Sequence, residues 1–205
     1  MFKPIKWSTF LRDFIVIQIG FALFGLAIAL LIQANLGTSP WVILEVALAE
    51  IIDVTIGSMI VIMGFIILGG ALILKEPIGW GTIANIVSIG FWVDLWMRYI
   101  PSITNNFGPQ LLMLLAAALV MGMATAIYIG VDGGAGPRDS LMLGVERISG
   151  WSLRVARGTI EVLVVILGWV LGGPVGIGTV IFALAIGPSV QWGFKIFKVQ
   201  SNSSH

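Results

Sequence analysis

The sequence predicts an all-α membrane protein in which six transmembrane helices form two inverted three-helix repeats, each with an additional short half-helix. Three observations lead there. Of the 205 residues, 58% are hydrophobic and only 10% charged, with a mean hydropathy of +1.05. Ordinary soluble domains carry about 25% charged residues. Apolar runs recur at 11–34, 57–74, 81–99, 109–131, 154–172 and 177–195, each near the ~20 residues of a bilayer crossing. Finally, the chain repeats itself without a gap at an offset of 97 positions. Gly37, Pro40, Pro77, Gly79, Gly81, Thr82 and Gly90 return as Gly134, Pro137, Pro174, Gly176, Gly178, Thr179 and Gly187, and Gly25 returns as Gly122. These are mostly glycines and prolines, which fix backbone geometry. A duplicated apolar chain is the signature of an internally symmetric transporter.

The whole chain, 1–205, reads as one transmembrane domain, with a first repeat at 11–96, a second at 108–193 and a disordered tail at 201–205. The first run follows Lys3, Lys6 and Arg12 and superficially resembles a signal peptide. From Phe14 to about Ala34 it is too long for one and opens a repeat, so it is expected to be retained. Next comes a shorter run, 40–52, matched in the second repeat by 137–149. A thirteen-residue helix reaches roughly 20 Å, short of the ~30 Å hydrocarbon core. Each starts with proline just after a glycine-containing turn, as helices do, and each is polar on one side: Glu45, Glu50 and Asp53 in one, Arg138, Asp139, Glu146 and Arg147 in the other. They are expected not to cross, whether re-entrant or interfacial.

Each repeat then crosses three times, and an odd number inverts the second relative to the first. Charge agrees. With both termini cytoplasmic, ten of the eleven basic residues fall inside and only Arg98 falls outside, as the positive-inside rule asks. The predicted location is a bacterial inner membrane, multi-pass.

Six tryptophans, Trp7, Trp41, Trp80, Trp96, Trp151 and Trp192, fall near predicted helix ends, where interfacial anchoring explains them. Gln18, Thr82, Asn85, Ser88, Thr125 and Thr179 need hydrogen bonds, most often across helices, and Asn85 is the one expected to face a cavity. Ala118, Gly122, Ala126 and Gly130 make a small-residue stripe suited to close helix approach within a protomer or at a homodimer seam. Asp94 and Arg98 are spaced for an i,i+4 bridge.

Several functions are disfavoured. The sequence has no Cys and its one His is His205, so thiolate and His-based metal sites are not expected, nor any cofactor. A net charge of +1 predicts no nucleic-acid partner; membrane lipid and a small-molecule substrate are the expected ones. The Pro-x-Gly-x-Gly-Thr strings at 77–82 and 174–179 lack the lysine of a phosphate loop. No nucleophile stands beside a base, so the chain does not read as an enzyme.

The stretches Gly134-Ala-Gly-Pro-Arg-Asp-Ser-Leu-Met-Leu-Gly144 and Leu167-Gly-Trp-Val-Leu-Gly-Gly-Pro-Val-Gly-Ile-Gly-Thr179, closing with Ile186-Gly-Pro188, resemble the YczE/YyaS/YitT-type bacterial membrane proteins over roughly residues 11–195. The resemblance implies a polytopic inner-membrane protein of largely unassigned activity. Its first-half turn is typically Gly-Pro-Trp-Asp-like; here Val42 follows Trp41 where an acid is usual, whereas Asp139 keeps the acid in the second half.

Candidate chemistry gathers at the two turns. Helix starts leave backbone N–H groups unpaired, and these with the helix dipole favour anions or polar ligands. The expected substrate-binding set is Asn35, Gly37, Thr38, Ser39 and Asn85 with Gly134, Gly136, Arg138 and Asp139. Arg138 suits bidentate anion binding, although Asp139 also suits a simple first-turn position. The competing reading makes each turn interfacial, leading to a helix lying on the membrane surface.

Arg154, Arg157 and Glu161 replace Gly57, Ile60 and Gly64 of the first repeat. Glu161 falls about 12 Å along its helix, where a charge needs a partner or a wet cavity. Arg157 is the i,i+4 partner, and the trio is expected to couple or gate transport, or to stitch helices as a structural pair. The function predicted is a secondary-type transporter of a small polar or anionic metabolite, working by alternating access with its site between the repeats. The alternatives are a substrate-capture subunit of a multi-component importer and a non-transporting accessory or lipid-translocating protein.

Overall fold

The computed structural model describes residues 7–131, 133–134 and 136–198; Lys3, Lys6, Asp132 and the tail 201–205 lie outside them. Among the described residues the chain is helical, with α1 Phe10–Gln33, α2 Pro40–Ile52, α3 Ile56–Ile73, α4 Trp80–Met97, α5 Phe107–Gly130, α6 Pro137–Ser149, α7 Leu153–Val170 and α8 Ile177–Phe197. Both short helices have 13 residues and begin on proline, whose fixed φ and missing N–H suit a first turn. Each ends on a left-handed residue, Asp53 or Gly150. The hydroxyls of Thr55 and Ser152 then cap the next helix by accepting from Ser58 N and Val155 N. Removing such a cap typically costs about 1 kcal/mol.

Four helices, α1, α3, α5 and α8, are long and apolar enough to cross a membrane by length and composition. This is fewer than the six expected. The shortfall is one of polarity rather than length: α4 and α7 match the 18 residues of α3, but α4 carries Asn85, Ser88 and Asp94, and α7 carries Arg154, Arg157 and Glu161.

α1 and α5 form the centre and run antiparallel. The amide of Ile103, ahead of α5, donates to Gln33 O at the end of α1 (2.9 Å), while Gly133, beyond α5, sits against Ile17 near the start of α1. Ile17, Phe21, Ile28 and Leu31 meet Leu114, Ala117, Ala118 and Met121 in the main core. On one side α4 packs against α1, on the other α8 against α5. α1 and α4 are pinned by Gln18, which donates to Ser88 Oγ (2.8 Å), and by Trp96 Nε1, which donates to Ala22 O (3.0 Å). The stripe of Gly122 and Ala126 receives Ser189 and Gly193 of α8, so it serves packing within the protomer.

Contacts recur with the halves exchanged. The amide of Gly178 donates to Leu36 O (2.6 Å), and that of Gly81 donates to Gly133 O (2.9 Å); 36 and 133 are equivalent, as are 81 and 178. Gly37 lies on Gly176 and Thr179, and Gly134 lies on Gly79 and Thr82. Both turn glycines have strongly positive φ, +104° and +125°, open to glycine but not to residues with a Cβ. Gly37→Ala would combine that strain with a Cβ only 2.6 Å from Gly176 N. It is expected to lower stability by about 1–3 kcal/mol, read as a drop in Tm in detergent; an unchanged Tm would mean that the turn is not built this way.

The halves differ at one seam. Gly57 and Gly90 let the backbones of α3 and α4 touch, since a Cβ on either would run into the carbonyl of the other. In the second half Arg154 stands where Gly57 does, and Gly187, the counterpart of Gly90, faces open space. α7 and α8 accordingly form no packed interface, whereas α3 and α4 do. Asp94 belongs to the closed seam. It accepts from Thr55 Oγ1 (2.6 Å) and Gly57 N (2.8 Å) rather than bridging to Arg98, because the start of α3 offers two donors at once.

Candidate functional site

The starts of α2 and α6 meet. Arg138, on the first turn of α6, forms an ion pair with Glu45 of α2. The same guanidinium lies over the Trp41 ring, 5.2 Å from its centroid. Trp41 and Arg138 are equivalent positions in the two repeats, so here the halves touch each other through the same place. Helical spacing puts Trp41 and Glu45, four apart, on one face of α2, and Thr38 precedes Trp41 by three.

Unsatisfied polar atoms concentrate here. Glu45 is 0% exposed, Thr38 1% and Trp41 8%. Glu45 Oε2, Thr38 Oγ1 and Trp41 Nε1 are all buried without a hydrogen-bond partner, as is Ser140 Oγ on α6. Buried polar atoms are nearly always bonded, and leaving one unpaired costs roughly 1–3 kcal/mol. An open acceptor on Glu45 and an open donor on Trp41 thus stand beside the Arg138 guanidinium. Trp41 therefore does not act as an interfacial anchor; it is buried with its N–H free, unlike Trp7, Trp151 and Trp192, which are exposed.

The other expected site residues divide into groups. Asp139 and Asn85 approach each other at Gly136: a Cβ there would meet Asp139 Oδ2 at 3.3 Å and Asn85 Nδ2 at 4.0 Å. Through this approach α4 and α6 share one polar region. Ser39 is buried ahead of α2 and its side chain makes no cap bond. Gly37 and Gly134 are occupied in shaping the turns. Asn35 is exposed, with φ +51°, and donates to Ser102 Oγ and Ile103 O; it ties the loop ahead of α5 to the end of α1.

Arg157 Nε donates to Glu161 Oε1 at 2.8 Å across i,i+4. The Arg157 side chain is 57% exposed and that of Glu161 31%, on the unpacked side of α7. Arg154 is exposed in the first turn. A separate ion pair holds α6 from its far end: Arg147 donates to Glu76 Oε1 (2.8 and 3.1 Å) and to Leu74 O.

Sequence reasoning had marked Glu45 only as a charge on a half-helix, and Trp41 as an anchor. A signal was there. Glu45 lies about one turn beyond Val42, the position where the resembled turn carries an acid. Its pairing with Arg138 lies 93 residues away in the chain and could not be read from spacing.

Residues 11–195 match the family of unknown function DUF6198. An uncharacterised protein of Haemophilus influenzae is 30% identical over 190 residues, 93% of this chain and 87% of that one. From Bacillus subtilis, the uncharacterised membrane protein YczE is 28% identical over 187 residues (89% and 82%). The uncharacterised protein YyaS of the same organism is 32% identical over 167 residues (80% and 83%). No solved structure matches the chain.

Proposed function

The chain belongs to the DUF6198 family of bacterial membrane proteins, and from that premise we propose that it is a secondary-type transporter of a small polar or anionic metabolite. In this reading six helices cross the membrane, the two halves are inverted, and the site lies between them. The antiparallel α1 and α5, equivalent helices of the two repeats, support inversion. So does the exchange of contacts between halves, which a two-fold axis in the membrane plane would produce. Equivalent residues touch each other only near such an axis, and Trp41 with Arg138 is such a pair.

One observation carries the proposal: buried polar atoms of Trp41 and Glu45 stand open beside Arg138, and that of Thr38 stands open just ahead of the same half-helix. Inverted-repeat transporters bind their substrates at broken-helix starts near the midplane. The seams supply the second requirement, a difference between halves. With α3 closed on α4 and α7 parted from α8, the chain stands in one of two unequal states, and exchange of the seams would reverse access. Arg157 and Glu161 border the open seam and act as its gate.

That same opening favours a second reading, lipid translocation, because a gap between helices admits a headgroup sideways. A thermal-shift screen of purified protein against metabolites and lipids separates the two. Specific binding at 100 times Kd stabilises by about 2.7 kcal/mol. The transporter reading expects a water-soluble polar compound to raise Tm, an effect lost in the neutral double variant Glu45→Gln/Arg138→Gln, and expects uptake of that compound into proteoliposomes. Stabilisation by lipids alone would overturn it.

A further inference from the structure

The Arg138–Glu45 pair has a property that the transporter reading does not require. Glu45 is fully buried, one of its oxygens takes Arg138, and the other has no partner. Arg138 is the charge that acts on it. Of the helices packed on α2, α3 has no charged residue, and α7 brings Arg154, Arg157 and Glu161, the last two paired with each other. Asp139, next to Arg138 on α6, lies toward Gly136 and Asn85, and Glu50 lies exposed at the far end of α2 itself. Take Arg138 away and no basic residue among the described ones is paired with Glu45.

We propose that Glu45 carries a proton whenever a bound anion occupies Arg138, so that anion and proton cross together. The inference rests on the reading of Arg138 as a ligand contact. The exchange balances. In the empty site one guanidinium faces one carboxylate, and the unit is neutral. An entering anion takes the guanidinium N–H groups, which suit bidentate anions, and Glu45 Oε1 is released. Kept ionised, the carboxylate would leave a net negative charge buried, which costs far more than a neutral acid. It therefore takes one proton from the aqueous side through which the anion came, and the unit is neutral again. The new carboxyl O–H can donate to the anion, which the carboxylate could not. Release on the far side runs the same steps backward.

The test uses purified protein in detergent and two simple monovalent probes, lactate and nitrate, neither of which changes charge between about pH 6 and pH 8. Alanine serves as the comparison to lactate, since it adds an ammonium. Binding is read by Tm and by tryptophan fluorescence. Wild type is expected to bind at least one of the anions about tenfold more tightly for each pH unit lowered, the slope for one linked proton. Glu45→Gln, a permanent mimic of the protonated acid, should bind that anion with no pH dependence, and more tightly than wild type at the higher pH. Glu50→Gln, at the exposed far end of α2, should keep the wild-type slope, and Glu45→Gln/Arg138→Gln should bind neither anion. A slope that persists in Glu45→Gln, or that disappears in Glu50→Gln instead, overturns the proposal. So does a preference of wild type for alanine over lactate at the higher pH, which would place the ligand's own ammonium on Glu45. Failure of both anions to bind Glu45→Gln overturns it as well. Uptake that needs Arg138 but ignores pH would sink the coupling and leave the transporter standing.

Discussion

Arg138→Ala is expected to destabilise the protein by about 3–5 kcal/mol, the usual cost of stripping one partner from a buried ion pair. The reason is asymmetric burial. Glu45 has no exposed surface, whereas the Arg138 side chain keeps 25%, so the loss falls on a carboxylate with no access to water. Glu45→Gln should cost less, because the guanidinium left behind can still be solvated. Combining Glu45→Gln with Arg138→Gln should recover most of the stability lost in Arg138→Ala, since two neutral amides replace two opposed charges. Thermal unfolding in detergent ranks the variants. If Arg138→Ala unfolds with wild type, the pair does not hold the half-helices together, and the site built on it falls.

A second large effect is expected at two glycines that the repeat makes equivalent and the fold makes opposite. Gly90→Ala pushes a Cβ into the carbonyl of Gly57 at the closed seam and should lower stability by about 1–3 kcal/mol, as overpacking does. Gly187→Ala meets nothing within 4 Å and, in a helix interior, should be neutral or stabilising by up to about 1 kcal/mol. Enlarging the second site to Gly187→Leu distinguishes a static gap from a moving one. If the proposed transport cycle closes α8 on α7, the leucine will leave Tm unchanged and reduce uptake into proteoliposomes severalfold. Unchanged uptake would show that this seam stays open throughout.

Much of the architecture was legible because it is local. Apolar runs and the prolines at 40 and 137 act within a few residues, and α2 and α6 begin and end where the sequence marks them. The charged stripe Arg154, Arg157 and Glu161 was legible too, and the Arg157–Glu161 bond follows from i,i+4 spacing. Its consequence was not. That the same three positions on α3 are the face packed on α4, and that charge there keeps α7 off α8, involves two helices whose approach no spacing reports. Asp94 illustrates the same limit: an arginine four residues on looked like its partner, but a hydroxyl and an amide from α3 are nearer.

By itself, the sequence determined the class of the molecule, its duplication, the extents of its helices and the glycines that its turns require, since hydropathy and backbone conformation are properties of short stretches. Only the tertiary structure decided that Trp41 and Glu45 meet Arg138 across the two halves, and that Asn35 bonds to Ser102 and Ile103. Partners brought together over 93 residues are selected by how helices stack, and a buried carboxylate can be told from a solvated one only after that stacking has excluded water.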